Sequence, residues 1–241
     1  MLSIVSTPIG NLGDITLRAL ETLKACDAIV CEDTRVTGQL LQLLHLPKKE
    51  LLSCHGYSDE GKVAIILNRL KAGEHLALVS DAGTPGISDP GYAIVARVQE
   101  WNRSSPSVGQ GCPCPTDVFI PIQVIPGPSA FLAALSASGL PINQFLYLGF
   151  LPLKKGRQTM LRSLREEQRT IVLYESVHRI EKTLKELAEA LKDQPSRSIV
   201  IARELTKMHE EVIATTAGEL GQVNATVTKK GEFVVVIGPC R

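Results

Sequence analysis

The chain is poor in aromatic residues, which make up 4% of it as five Phe, four Tyr and one Trp. Stacking of bases on aromatic rings is therefore not a prominent binding mode. It has no excess of either charge, with 26 Lys and Arg against 25 Asp and Glu and a formal net charge of +1. Global attraction to a polyanion is excluded, and any nucleic-acid contact must come from local basic patches. No apolar run approaches the roughly 20 residues of a membrane span. The opening MLSIVSTPIGN has no basic region and reaches Pro8 and Gly10 after one strand's length, which argues against a secretion signal. The cysteines at 26, 31, 54, 112, 114 and 240 form no C-x-x-C pair and have no matching His cluster. Neither a zinc site nor a disulfide framework is indicated, and no metal is expected. Cys26, Cys31 and Cys54 read as small buried residues of a reduced, cytoplasmic protein. Also missing are G-x-x-x-x-G-K-[ST] and any G-x-G-x-x-G after a strand, so no standard nucleotide loop is present.

What is present is an ordinary globular composition, 44% hydrophobic and 21% charged over 241 residues, enough for two α/β domains or one large one. Short β-rich apolar runs alternate with amphipathic stretches. The periodicity predicts strands over 2–6, 28–31, 76–80 and 120–125, and helices over 15–24 (capped by Asp14), 37–44, 62–71, 91–100 and 129–138. This is a βαβ progression, and the LALVS run reads as a fully buried parallel strand. From about Gly139 strands come with fewer helices between them, at 145–148, 170–174, 198–202, 211–215 and 232–237. Helices are expected near 159–165 and over 180–191. The fold class is therefore α/β, with an N-terminal parallel-sheet domain over 1–139 and a C-terminal mixed-sheet domain over 140–241. Residues 102–117 (NRSSPSVGQGCPCPTD) lack periodicity and are rich in Ser, Pro, Gly and Cys, the signature of an exposed inserted loop.

Three Gly/Pro-rich segments each follow an apolar strand and precede a helix: Thr7 to Asp14, Ser80 to Gly91 (SDAGTPGISDPG) and Pro126 to Ala130. Ligands of open α/β sheets bind at the carboxyl ends of strands, where such loops converge. Any one of them alone could be a tight turn; three on one rim argue for a site. Gly83, Gly86 and Gly91 would let backbone approach a ligand closely, and Asp81 and Asp89 could receive ammonium or hydroxyl groups. Asp89 could equally cap the next helix and Asp81 bond its own loop.

The segments VSTPIGNLGDIT, CEDTR-x-T (31–37), LVSDAGTPGISDPGY, PGPSA, GFLP (149–152), YES-x-HR (174–179) and ARELTK (202–207) occur in one order and spacing. In these the chain resembles the bacterial 16S rRNA ribose 2′-O-methyltransferases within the tetrapyrrole-methylase-like superfamily, from Ile4 to Gly238. The resemblance implies two α/β domains with S-adenosylmethionine in the cleft between them, a homodimer, and methylation of cytidine 1402 in the decoding centre. It assigns cofactor contacts to Pro8, Asp81, Ala82, Gly83, Ile87, Ser129, Ala130 and Glu175. The 102–117 segment departs from the pattern as an insertion. So do a chain end at Arg241, where many relatives carry a helical extension, and CHGYSDE (54–60), where relatives are rich in His, Asn and Glu.

Methyl transfer to a hydroxyl is an in-line displacement, helped by alignment and by a group that takes the proton. Asp33, Glu175 and Lys207 are the candidate catalytic residues, with Glu32 and Glu204 behind them. Asp33 could instead bond Arg35 at a solvated strand end, Glu175 could pair with His178 or Arg179, and Lys207 could bind phosphate. The RNA-facing candidates are Arg35, His55, Arg179 and Arg203, with Lys154, Lys155, Arg157, Arg162 and Arg165 as a basic patch. The partner implied is 16S rRNA or the small ribosomal subunit, recognised by shape and phosphate. Two other readings stay open: a methylase of tetrapyrroles or of a modified protein side chain, and a non-catalytic ribosome-assembly protein of the same fold.

Overall fold

The first strand, β1 (Leu2–Val5), lies inside a five-stranded sheet with β2 (Ala28–Cys31), β3 (Glu50–Ser53), β4 (Leu76–Leu78) and β5 (Ile122–Ile125). All the pairings are parallel and the order is β3-β2-β4-β1-β5. A parallel sheet must be covered on both faces, because its connections are helices that return across them. The buried residues obey this. Leu2, Val30, Leu76 and Leu78 pack on one face against Ile66 and Leu70 of α3 (Glu60–Lys71) and Ile94 and Val98 of α4 (Gly91–Ser104). Val5, Ile29 and Ala77 pack on the other against Ala19 and Leu23 of α1 (Leu17–Ala25) and Leu41 of α2 (Thr34–Leu43). The computed structural model describes residues 1–54, 60–89, 91–104 and 118–240, which divide into two units, Met1–Pro128 and Ser129–Arg241.

The second unit holds α5 (Ala130–Ala137), β6 (Phe145–Phe150), α6 (Arg157–Ser163), β7 (Thr170–Ser176), α7 (Ile180–Ala190), β8 (Ser198–Arg203), β9 (Glu211–Thr216), α8 (Leu220–Thr226) and β10 (Glu232–Ile237). Its sheet has the order β6-β7-β10-β8-β9 and is mixed: β6 and β7 are parallel, and the other pairs antiparallel. The central strand β10 reads EFVVVI and is buried from Phe233 to Ile237, with Phe233, Val235 and Ile237 facing Leu184 and Leu187 of α7 in one core.

The expected two α/β domains, one parallel and one mixed, are the observed fold. Several boundaries differ for identifiable reasons. Helix α1 is capped by Thr16, whose hydroxyl accepts from the Ala19 N–H at 3.1 Å, and not by Asp14, which lies in a 3-10 turn over Leu12–Asp14. Helix α2 starts at Thr34, three residues before the expected start at Thr37, because Asp33 caps it. The domain boundary falls before α5, whereas periodicity placed it after that helix at 139/140. The difference arises because the Phe131 N–H donates to the Tyr174 hydroxyl of β7 at 3.2 Å and the Phe131 ring lies 4.7 Å from that of Tyr147. Asn102 belongs to α4 and not to a loop: its side-chain amide donates to the Ile120 carbonyl at 2.8 Å and accepts from the Ile120 N–H at 2.9 Å. Arg103 and Ser104 also belong to α4, and the remainder of the expected inserted loop, 105–117, lies outside the described residues.

Candidate active site

The three glycine-rich loops meet on the first unit at the carboxyl ends of β1, β4 and β5. Thr7 and Gly83 form an isolated antiparallel bridge, with N–H to carbonyl distances of 2.9 and 3.1 Å. The Thr7 hydroxyl donates to the Ser80 carbonyl at 3.2 Å, and the Ser80 hydroxyl to the Gly83 carbonyl at 3.2 Å. Thr84 reaches both other loops, pairing its hydroxyl with that of Ser6 at 3.0 Å and donating to the Pro128 carbonyl at 3.0 Å. Glycine is required at two of these contacts. Gly83 has φ +84°, and a side-chain carbon at Gly127 would come within 2.8 Å of the Ser6 Cβ. Beside this staple Cys31, Cys54, Leu78, Ser80, Asp89 and Ile94 line a small crevice.

Asp81 joins a fourth loop to the rim. One oxygen, Oδ1, accepts from the Asp33 N–H at 3.1 Å, which holds the CEDTR turn against the turn after β4. The half-exposed carboxylate keeps its other oxygen uncommitted among the described residues. Asp89 is a cap: its Oδ1 accepts from the N–H groups of Gly86 and Gly91, each at 2.8 Å, at the start of α4. Pro8 is buried, Ala82 is exposed and Ile87 half-exposed on these loops. The local groups thus brought together are Pro8, Asp33, Arg35, Asp81, Ala82, Gly83 and Ile87.

Asp33 carries the local bond considered from sequence. Its carboxylate accepts from the Arg35 guanidinium at 2.7 and 3.1 Å and from the Arg35 N–H at 2.8 Å. These bonds hold its pKa well below the usual carboxylate range, so it is a weak proton acceptor while the pair is closed. Arg35 is otherwise exposed.

The other expected site residues lie in the second unit, and most are committed to internal bonds. Ser129 and Ala130 open α5, Ser129 almost fully buried. Glu175 is 1% exposed. Its Oε1 accepts from Arg179 Nε and the Ser176 N–H, each at 2.8 Å, and its Oε2 from the Thr183 hydroxyl at 2.6 Å. This leaves it neither a free base nor a free ligand. Arg179, expected to face RNA, donates its Nη1 to the Leu151 carbonyl at 2.9 Å. Arg203, likewise expected on RNA, is buried and bonds Glu211 at 3.0 Å and the carbonyls of Lys230 and His209 at 3.2 and 3.0 Å. Lys207 is paired with Glu204 at 2.9 Å and Glu232 at 3.0 Å. Burial works to lower its pKa, but the two carboxylates outweigh it and raise the pKa, the wrong direction for a general base. Of the basic patch, Arg157 is buried and Arg165 is paired with Asp193. His55 lies outside the described residues.

Sequence reasoning missed Ser6, Thr7 and Thr84, whose hydroxyls tie the loops, although all three sit in or beside segments already singled out. It also missed the tie between Glu175 and Thr183, because nothing local signals a bond from a strand to the second turn of the next helix. The cysteines behave as expected: Cys26, Cys31 and Cys54 are buried and unbridged, and burial pushes the thiols of Cys26 and Cys31 up. Among the described residues no group of His, Cys, Asp and Glu is arranged to hold a metal ion, and no helix is long and apolar enough to cross a membrane.

The family model of tetrapyrrole (corrin/porphyrin) methylases matches residues 1–221. The chain belongs to that family. Among curated relatives of this methylase, a Synechocystis protein named ribosomal RNA small subunit methyltransferase I is 44% identical over 238 residues, 98% of this chain and 78% of that one. The Thermotoga maritima protein of the same name is 41% identical and covers 98% and 97% of the two chains. Among solved structures, a cobalt precorrin-4 methyltransferase has a TM-score of 0.65 at 19% identity, covering 98% of this methylase and 94% of that chain. A uroporphyrin-III C-methyl transferase from Thermus thermophilus, complexed with S-adenyl homocysteine, has a TM-score of 0.62 at 18% identity and covers 98% and 96%. At these identities the structures establish the fold.

Proposed function

We propose that the chain transfers a methyl group from S-adenosylmethionine to the 2′-hydroxyl of cytidine 1402 in 16S rRNA. The observation that carries the reading is the similarity, above 40% identity over 98% of this chain, to proteins named as ribosomal RNA small subunit methyltransferases. The rim of the first sheet suits a cofactor with an amino-acid moiety. Asp81 offers an uncommitted carboxylate oxygen for an ammonium group, and Gly83 and Gly86, at φ +84° and +86°, hold backbone where other residues would be strained. Bound there, S-adenosylmethionine supplies an electrophilic methyl carbon on a sulfonium. The cofactor-binding residues are then Pro8, Asp81, Ala82, Gly83 and Ile87, with Ser129 and Ala130 where the chain enters the second unit.

The residues of this chain contribute alignment more than proton removal. The stapled loops fix the backbone at the rim before ligand arrives, which lowers the entropy cost of holding reacting atoms in line. Asp33 is tied to that rim through its N–H to Asp81, and its carboxylate is a ready proton acceptor only when its link to Arg35 opens. A second copy of the chain as partner, and action in the cytoplasm where ribosomal subunits are assembled, belong to the same reading. Sedimentation at micromolar concentration tests the former.

The deciding experiment incubates the protein with S-adenosylmethionine carrying a labelled methyl group and three acceptors in turn: small subunits lacking the modification, a reduced tetrapyrrole, and a translation-factor side chain. Label is expected in the subunits alone. Label in either of the others contradicts the proposal, and absence of cofactor binding by calorimetry would favour a non-catalytic assembly role.

A further inference from the structure

Nearly every cation of the second unit is spoken for. Arg165, Arg169, Lys185, Lys192 and Lys229 pair with carboxylates, and Arg197 is spent on the carbonyls of Gly238 and Leu164. Among the described residues of that unit, the cations left without a carboxylate or carbonyl partner are Lys154, Lys155, Arg162 and Lys230. The first three are exposed and fall within nine residues of sequence. No acidic residue lies between Asp117 and Glu166, so nothing local neutralises them.

The loop that carries the two lysines is clamped from below. Arg179 donates to the Leu151 carbonyl at 2.9 Å, and Arg157 to the next carbonyl, Pro152, at 3.2 Å. Both arginines belong to the buried network around Glu175. Arg157 donates its Nη2 to the Thr183 hydroxyl at 2.7 Å and its Nε to Glu186 at 2.7 Å, and the Thr183 hydroxyl donates in turn to Glu175 at 2.6 Å. After the lysines, Gly156 at φ +82° turns the chain so that Arg157, 3% exposed, enters the interior as the first residue of α6. Two consecutive peptide groups on one side and a buried guanidinium on the other thus fix an arch whose top is Leu153-Lys154-Lys155. A cationic pair on a fixed backbone loses less entropy on binding an anion than one on a free loop.

From this arrangement we infer that the Lys154–Lys155 arch is a docking element for the phosphate backbone of the RNA substrate. The buried Arg157–Glu175–Arg179–Thr183 network is its positioning device and has no part in the reaction itself. The inference rests on the proposed action on small-subunit rRNA, and it assigns the YES-x-HR motif to RNA presentation.

The test measures binding of small subunits by cosedimentation at several salt concentrations, beside steady-state methyl transfer. For K154A/K155A, KM for subunits should rise roughly tenfold, and the slope of log affinity against log salt should fall by about 1 per lysine. Turnover at saturating subunit and affinity for S-adenosylmethionine should hold. Thr183→Val, which removes the linking hydroxyl, should raise KM in the same direction, add nothing when combined with K154A/K155A, and be rescued by Thr183→Ser. Unchanged KM and salt slope in K154A/K155A overturn the docking element even if methyl transfer is normal. A loss of cofactor affinity or of saturated turnover in Thr183→Val, with subunit binding intact, would move the network to the reaction centre and overturn the positioning role. Should the unsubstituted protein bind subunits with a lysine-dependent salt slope yet transfer no methyl, docking stands and the methyl-transfer reading fails. Thr183→Val could fail to fold, but the lysine pair is on the surface and decides the docking question alone.

Discussion

Asp81 divides its two oxygens between two tasks. Oδ1 secures the Asp33 N–H, and through it the start of α2, while the other oxygen remains available on the rim. Asp81→Ala should therefore weaken S-adenosylmethionine binding by about tenfold or more, the equivalent of one lost charge-assisted hydrogen bond. Titration calorimetry measures it, and an unaltered Kd would remove Asp81 from the site. Asp33 makes a contrasting case. Because Arg35 depresses its pKa, the link it forms is present above the ordinary carboxylate range and lost only as pH falls below that range. A loss of activity between about pH 5 and 6 would thus belong to another group. Sequence made both aspartates visible as candidates, and it even contained the Asp33–Arg35 bond as an option. It could not say that one backbone N–H joins the two loops, since that contact spans 48 positions.

At the level of elements, the legible parts were those with strong local signals. Strand β10 was bounded correctly because its short FVVVI run is dominated by β-branched residues and the strand is flanked by Gly231 and Gly238, which favours a buried strand over a helix. Strand β3 went unseen: ELLS is four residues long and half-exposed at a sheet edge, too short for periodicity to register. Helix α8 was missed although its preceding turn carries the capping-box pattern, in which Thr216 and Glu219 satisfy each other's backbone. The placement of α5 was illegible for a tertiary reason, since its unit is decided by the Tyr174 hydroxyl and the Phe131–Tyr147 ring contact. Tyr174→Phe leaves the Phe131 N–H without its acceptor and should cost about 1–3 kcal/mol in urea unfolding. Burial first, and the neighbouring Tyr147 second, push the Tyr174 pKa up to about 12. A raised folded-state pKa means the stability it confers is complete below the unfolded value near 10 and is lost as pH rises from there through about 12. Absorbance titration of the phenols should show one tyrosine ionising about two units late, and that late component should vanish in Tyr174→Phe.

For the whole molecule, sequence sufficed for the class of fold, a parallel sheet followed by a mixed one, and for the loops that build the rim. It left the roles of the second unit's charged residues open, because a charge's role there depends on which partner the sheet brings to it. Arg157, Arg179 and Arg203 have the composition of an RNA-binding surface and the geometry of internal staples, whereas Lys154 and Lys155 have both composition and exposure. The central claim is that this methylase modifies one ribose of small-subunit rRNA. Its most direct test is to treat unmodified subunits with the protein and S-adenosylmethionine, hydrolyse the 16S rRNA in alkali, and sequence the resistant dinucleotides by mass spectrometry. A 2′-O-methyl group caps the hydroxyl that would attack the adjacent 3′-phosphate, so one new resistant dinucleotide beginning at cytidine 1402 is predicted. A methyl group found on a base, at another nucleotide, or nowhere in the RNA would contradict the account.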